Sequence, residues 1–234
     1  MAAKIGLGQE AHPRPTFLSD FILGSQDGLV NVLGILLGLV AAGSPMRIVE
    51  VGALAALAAE SISMGAVAYT STLSRRKLYL SEIERESREM REVPELERDE
   101  VRVILRKWGY EGDEVEEMVR RIEAKPRAWL DIMMAFELNL AEVTPQQPRD
   151  SALIVLGATV VGSLVPLLPF LVGLSRIAAT LVSVTVTGAM LLGVGIYEAR
   201  TTASAWWASG GRMLLIGLGA GFAGFLVGKV VGAF

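Results

Sequence analysis

Five long apolar stretches and one charged block make up the pattern of this chain. The apolar stretches run from about Phe17 or Phe21 to Gly43, Ile48–Leu73, Ser151–Val172, Ile177–Tyr197 and Met213–Val231. Each is near or above the roughly 20 residues that a helix needs to cross a hydrocarbon layer of about 30 Å. Between the second and third stretches, residues 75–147 carry charges at nearly every turn. The pattern predicts an all-α polytopic membrane protein with five transmembrane helices and a helical insert between helices 2 and 3. The expected segments are a polar tail at 1–16, helices 1–2 at 17–74, the insert at 75–147 and helices 3–5 at 148–234.

Breakers set the finer divisions. Ser44–Pro45 makes a tight turn between the first two spans. Within the insert, Tyr79–Glu92 reads as a charged first helix. Pro94 opens a second helix to about Lys107, since proline fits the first helical position. Trp108-Gly109-Tyr110 closes it, Gly112-Asp113 opens a third to about Ala124, and Pro126 opens a fourth over Arg127–Leu140. Pro166 and Pro169 free backbone carbonyls near the far end of the third span and are expected to kink it. Gly24/Gly28 and Gly34/Gly38 space small residues four apart in the first span, which suits close helix contact. No basic region leads into a short apolar run with a small-residue cleavage site, so no signal peptide is expected.

Composition narrows the chemistry. The 234 residues are 52% hydrophobic with 25 glycines, and mean hydropathy is +0.46. With no cysteine and a single histidine, His12 in the polar tail, thiolate and imidazole metal sites are excluded or nearly so. Any bound metal needs carboxylate, thioether, hydroxyl or carbonyl ligands. The net charge of −3 conceals a strong asymmetry, because 18 of the 25 acidic residues lie between Arg75 and Gln147. Arg75, Arg76, Lys77, Arg200 and Arg212 fall on the same side as the N-terminus, against Arg47 and Arg176 on the other. The positive-inside rule then makes the N-terminus and insert cytosolic and the C-terminus external or lumenal.

Two apolar spans each hold a carboxylate well inside their ends, Asp27 in the first and Glu60 in the second. Placing such a group within a bilayer costs roughly 2.5–3.5 kcal/mol on insertion scales, so it marks an ion path or a wet cavity more often than packing. Asp27 and Asn31, four apart, share a face. Glu60 and Met64 stand one turn apart, a carboxylate beside a thioether, which suits a borderline divalent metal better than Na⁺ or K⁺. The plainer reading is that Met64 only packs and Glu60 bonds a hydroxyl. In the insert, Glu82, Glu86 and Glu89 form a stripe, and ExxE occurs at Glu86/Glu89 and Glu97/Glu100, each pair on one helical face. Charged helices with interleaved arginine are usually solvated faces. Met133 and Glu137 repeat the thioether–carboxylate pairing, although a methionine pair, Met133 and Met134, is ordinary in a core.

The motifs together resemble those of the vacuolar iron transporter family, which includes plant and yeast vacuolar iron and manganese transporters and prokaryotic relatives. They are Asp-Gly-Leu-Val at 27–30, Ser-Met at 63–64, ExxE at 86–89 and 97–100, and Trp-Leu-Asp-x-Met-Met-x-x-Glu at 129–137. The resemblance covers nearly the whole chain. It implies a homodimer of five-span protomers whose cytosolic helical insert binds metal, exporting Fe²⁺, often also Mn²⁺ or other divalent metals, from the cytosol in exchange for protons. It further implies Glu86, Glu89, Glu97, Glu100 and Glu137 as cluster carboxylates assisted by Met133 and Met134, with Asp27 and Met64 as path ligands. Relatives often carry Gly-Glu-Tyr shortly after Ser-Met, where this chain reads Val67-Ala68-Tyr69. Glu60, two turns earlier on nearly the same face, is expected to supply the missing carboxylate.

The resulting expectation is a proton-coupled divalent-metal transporter. Its partners are metal ions, protons, the lipid bilayer and a second copy of itself, and nucleic acid is not among them. The membrane would be the plasma membrane in a prokaryote and the vacuolar membrane in a eukaryote. One rival is a di-iron oxidase, but such sites use Glu-x-x-His pairs on bundle helices, and the insert has no histidine. The other is a membrane-anchored acidic metal sensor or scaffold without transport, whose spans would have no need of Asp27 or Glu60.

Overall fold

A computed structural model describes residues 15–202 and 204–233; the expected polar tail, with His12, lies outside the described residues except at its edge. Every regular element among them is helical: α1 Pro15–Ala41, α2 Met46–Glu92, α3 Pro94–Lys107, α4 Asp113–Glu123, α5 Pro126–Ile132, a π-helical turn Met133–Glu137, α6 Gln147–Leu171, α7 Arg176–Thr202 and α8 Trp206–Val231. Five of these, α1, α2, α6, α7 and α8, are long and apolar enough to cross a membrane. The chain divides into two compact units, one formed by the residues up to Tyr69 together with those from Arg149 onward, the other by Thr70–Pro148.

The membrane unit is held by close backbone approach. Two helices in lipid gain little from the hydrophobic effect, so association rests on packing contacts and small residues. A Cβ at Gly28 would stand 2.4 Å from the Thr159 carbonyl on α6. A Cβ at Gly228 on α8 would stand 1.9 Å from the Gly38 carbonyl on α1. Only glycine permits either approach. Both small-residue pairs of the first span are therefore used within the protomer, the first against α6 and the second against α8. Around these contacts Val32, Leu36, Val49, Leu167 and Phe170 form one buried cluster, and Leu29, Leu191, Val194 and Met213 another. The outward residues, among them Ile62, Leu153, Ile177 and Leu215, are exposed aliphatics, as a lipid-facing surface requires.

Two expectations about helix ends are corrected. The second span and the first insert helix are one 47-residue helix, α2. At 1.5 Å per residue it is about 70 Å long, more than twice a hydrocarbon layer. The change at Arg75–Lys77 alters what surrounds the helix, while the sequence from Ser74 to Glu92 contains no glycine or proline to stop it. The fourth insert helix does not run as α-helix to Leu140. It passes at Met133 into a π turn, where the Leu138 N–H donates to the Met133 carbonyl at 3.2 Å. Asn139 then leaves the helix at φ +53°. Pro166 and Pro169 both lie inside α6, which the structure keeps as a single element, and the Ser183 hydroxyl donates to the Pro166 carbonyl at 2.7 Å.

The Thr70–Pro148 unit has a water-type core. Val101, Leu105, Val115, Val119, Trp129 and Met133 pack together from α3, α4, α5 and the π turn. Burial at roughly 25 cal/mol per Å² drives this assembly. At its rim Arg102 joins α3 to α4 through Glu116, at 2.9 Å, and also reaches Asp99. Arg98 pairs with Glu95 and Glu123. These pairs are partly exposed, so each adds only about 0.2–1 kcal/mol.

Candidate metal centres

Two acidic sites emerge, one in each unit. In the membrane unit, Asn31 stands one turn after Asp27 on α1. Its Nδ2 donates to Asp27 Oδ1 at 3.0 Å and also to Glu60 Oε1 on α2. One amide thus bridges two carboxylates from two helices. The second oxygen of Glu60 is buried without a hydrogen-bond partner. Asn31 and Glu60 line an open groove of about 730 Å³, whose other walls include Gly34, Gly38, Gly224 and Gly228. Met64 lies one turn beyond Glu60 on α2 and is half-buried. Asn31 is the residue whose role was least apparent beforehand. Its i,i+4 spacing from Asp27 was visible, but its bond to Glu60 depends on how α1 meets α2.

In the Thr70–Pro148 unit, α2, α3 and the π turn deliver Glu86, Glu97 and Glu137 to one point. One oxygen from each lies within 4.8 Å of the others. Glu86 and Glu97 are only 1% and 2% exposed. Both oxygens of Glu86, and one each of Glu97 and Glu137, are buried without a hydrogen-bond partner. An ionised carboxylate can only accept, so the cluster satisfies itself only where one of its carboxyls keeps a proton to donate. Burial pushes the Glu97 carboxyl up to about 8, with Glu100, Glu86 and Glu137 adding repulsion. Burial likewise pushes Glu137 up to about 7, with Glu100 and Glu86 adding to it. Glu86 is raised in the same sense, by burial first and then by Glu89. Those causes place Glu89 and Glu100 beside the same point. Glu89 differs in having a cation, since Arg85 Nε stands 3.3 Å away.

The methionines divide. Met133 is fully buried in the hydrophobic cluster with Trp129 and Leu105. Met134 is also buried, one residue further round the π turn.

Chemically, the acceptor-only cluster can be satisfied by protons or by a cation. In octahedral geometry with metal–oxygen distances near 2.1 Å, opposite ligands stand about 4.2 Å apart. The three oxygens, all within 4.8 Å of one another, can reach such distances with small side-chain rotations. Oxygen ligands without cysteine or histidine suit Mn²⁺, Fe²⁺ and similar hard or borderline divalents.

The chain is similar over most of its length to known proteins. The VIT family model matches residues 18–229. Vacuolar iron transporter 1 of Oryza sativa subsp. japonica is 36% identical over 225 residues, 94% of this chain and 89% of that protein. Vacuolar iron transporter 1 of Arabidopsis thaliana is 35% identical over 212 residues, 91% of this chain and 85% of that protein. Protein CCC1 of Saccharomyces cerevisiae is 27% identical over 170 residues, 72% of this chain and 52% of that protein.

Proposed function

The chain belongs to the VIT family, whose members are transporters and not enzymes, and on that footing we propose that it moves Fe²⁺ out of the cytosol in exchange for protons. Mn²⁺ is a second substrate of the same hard-oxygen class. The observation that carries the reading is the acceptor-only cluster of Glu86, Glu97 and Glu137. Buried carboxylates without donors are costly to ionise, and a divalent cation offsets that cost directly. Glu89 and Glu100 surround the cluster, deepen its negative field and raise the local metal concentration. Met134 is the nearer thioether candidate, and Met133 supports the site from the core.

In this reading the insert is cytosolic and captures metal, and Asp27, Glu60 and Met64 carry it through the bilayer. Asn31 holds Asp27 and Glu60 together while no ion is present. An arriving cation takes over the carboxylate oxygens, and protons from the other side later displace it. Carboxylates suit both halves of that exchange because metal and proton compete for the same oxygen. A second copy of the chain covers the groove beside Glu60, so that the path runs at a dimer interface.

The test is reconstitution of the full chain into liposomes with an imposed pH gradient. Fe²⁺ should enter only when protons can leave, and dissipating the gradient with an ionophore should stop it. A protein that binds Fe²⁺ tightly yet moves none across the bilayer under any gradient would establish the sensor or scaffold reading instead.

A further inference from the structure

Where α7 ends and α8 begins, two clefts share a stripe of α7. The first, about 350 Å³, is lined by Ile196, Ala199, Arg200, Ser204 and Trp206. The second, about 420 Å³, is lined by Phe17, Phe21, Met190, Gly193, Val194 and Tyr197. Gly193, Tyr197 and Arg200 follow one another at i, i+4 and i+7, so one face of α7 carries residues of both clefts. The first offers hydrogen-bond donors, and the second is almost wholly apolar.

The charges are unequally committed. Arg212 Nη2 donates to Glu198 Oε1 at 2.7 Å, and Glu198 Oε2 is buried without a hydrogen-bond partner. Arg200 is exposed and has no ion-pair partner among the described residues. Trp206 and Trp207 are 65% and 69% exposed, at the first two positions of a membrane-crossing helix. Exposed tryptophans at that level mark the boundary between hydrocarbon and headgroups. The apolar cleft is built by aromatic packing, with Phe21 edge-on to Tyr197 at 6.2 Å. Its floor is open: a Cβ added at Gly193 would meet nothing within 4 Å.

We propose that this stripe holds one anionic phospholipid, its phosphate at Arg200 and Trp206 and an acyl chain along Gly193 and Phe21. Guanidinium, indole N–H and the Ser204 hydroxyl can all donate to phosphate oxygens. The apolar groove continues from them in the direction a lipid tail must take. A zwitterionic headgroup would bring an ammonium group as well, and the local carboxylate that could receive it, Glu198, has one oxygen on Arg212 and the other buried. The net positive charge of the cleft therefore selects an anionic lipid, as basic pockets at helix ends do.

The test uses the full chain, delipidated in detergent and titrated with phosphatidylglycerol or phosphatidylcholine, with bound lipid counted by native mass spectrometry. Wild type should retain phosphatidylglycerol in preference. Arg200→Gln should lower that retention about five-fold, the factor for one cation near an anionic headgroup, and lower retention of the net-neutral phosphatidylcholine less. Arg200→Lys should restore most of it. Gly193→Leu, which fills open space, should lower retention of both lipids with an unchanged elution profile. Equal retention of phosphatidylglycerol by wild type and Arg200→Gln would overturn the proposal. So would displacement of the lipid by glycerol 3-phosphate at matched concentration, which would make the cleft a site for soluble phosphate.

Discussion

At the membrane site an amide stands between two carboxylates; at the insert site three carboxylates converge with no donor among them. Asn31 satisfies one oxygen of Asp27 and one of Glu60, leaving Glu60 Oε2 buried without a partner. Glu86, Glu97 and Glu137 have no amide among them, and four of their oxygens are buried without a partner. A transport step needs a ligand that releases its ion, and a bridging amide competes with the ion for the same oxygens. A capture step needs an ion to be better than nothing, and an acceptor-only cluster ensures that. The difference in hydrogen-bonding partners therefore matches a division of labour between passage and capture.

That division can be broken most sharply at Asp27. Asp27→Asn keeps shape and removes charge, and Fe²⁺ transport in liposomes should fall by about a hundredfold, equivalent to about 3 kcal/mol of lost ion stabilisation. Metal should still raise the thermal stability of the variant, because the insert site is intact. If Asp27→Asn transported normally, the membrane half of the comparison would fail.

The complementary change is Glu86, Glu89, Glu97 and Glu100 all to Gln. Metal-dependent stabilisation, read by hydrogen exchange over residues 82–140, should vanish. Transport should persist at high metal, with the half-saturating concentration raised about tenfold, the low end of electrostatic focusing. Wild-type metal protection in this variant would reduce the stripes to a solvated charged face.

The smallest effect is a pH dependence, and its sign is informative. Glu97 and Glu137 have carboxyls pushed up to about 8 and about 7 by burial and mutual repulsion. A group raised in the folded state binds its proton more tightly there than when unfolded. Stability from it is complete below the ordinary carboxylate range and is lost as pH rises through 7 to 8. Without metal, hydrogen-exchange protection of residues 82–140 should thus decline between about pH 5 and 8. With saturating Mn²⁺ the decline should disappear, since the ion replaces the protons. A metal-free insert that grows more stable over this range would contradict the cluster's geometry.

Much of this arrangement was legible in the sequence. Apolar length gave five spans, and Pro94, Gly112 and Pro126 gave the insert's breaks because each acts locally on φ or on a missing N–H. The continuity of α2 was not legible, since a switch from apolar to charged residues at Arg75 marks a change of solvent and was read as a helix end. The glycine pairs at 24/28 and 34/38 announced close contact but not its partner; α6 and α8 are chosen by long-range packing. The ExxE spacing put carboxylates on single faces, yet one helix cannot show that Glu86 and Glu97 meet Glu137. Asn31 was visible as a neighbour of Asp27 and invisible as a neighbour of Glu60.

The π turn at Met133–Glu137 has a consequence for what this segment tolerates. A π turn is a helix with one residue more than its ladder requires. Delete one residue there, Ala135 for instance, and the ladder can close as ordinary α-helix with the later side chains near their original bearing, because only the surplus residue has gone. Glu137 would still face the acidic point. A deletion inside α2 or α3, where the ladder has no surplus, would instead turn every later side chain of that helix by about 100°. Ala135 is exposed, so its loss should be nearly silent, and of the three segments that build the acidic point this is the one in which a lineage could lose a triplet and keep its carboxylate.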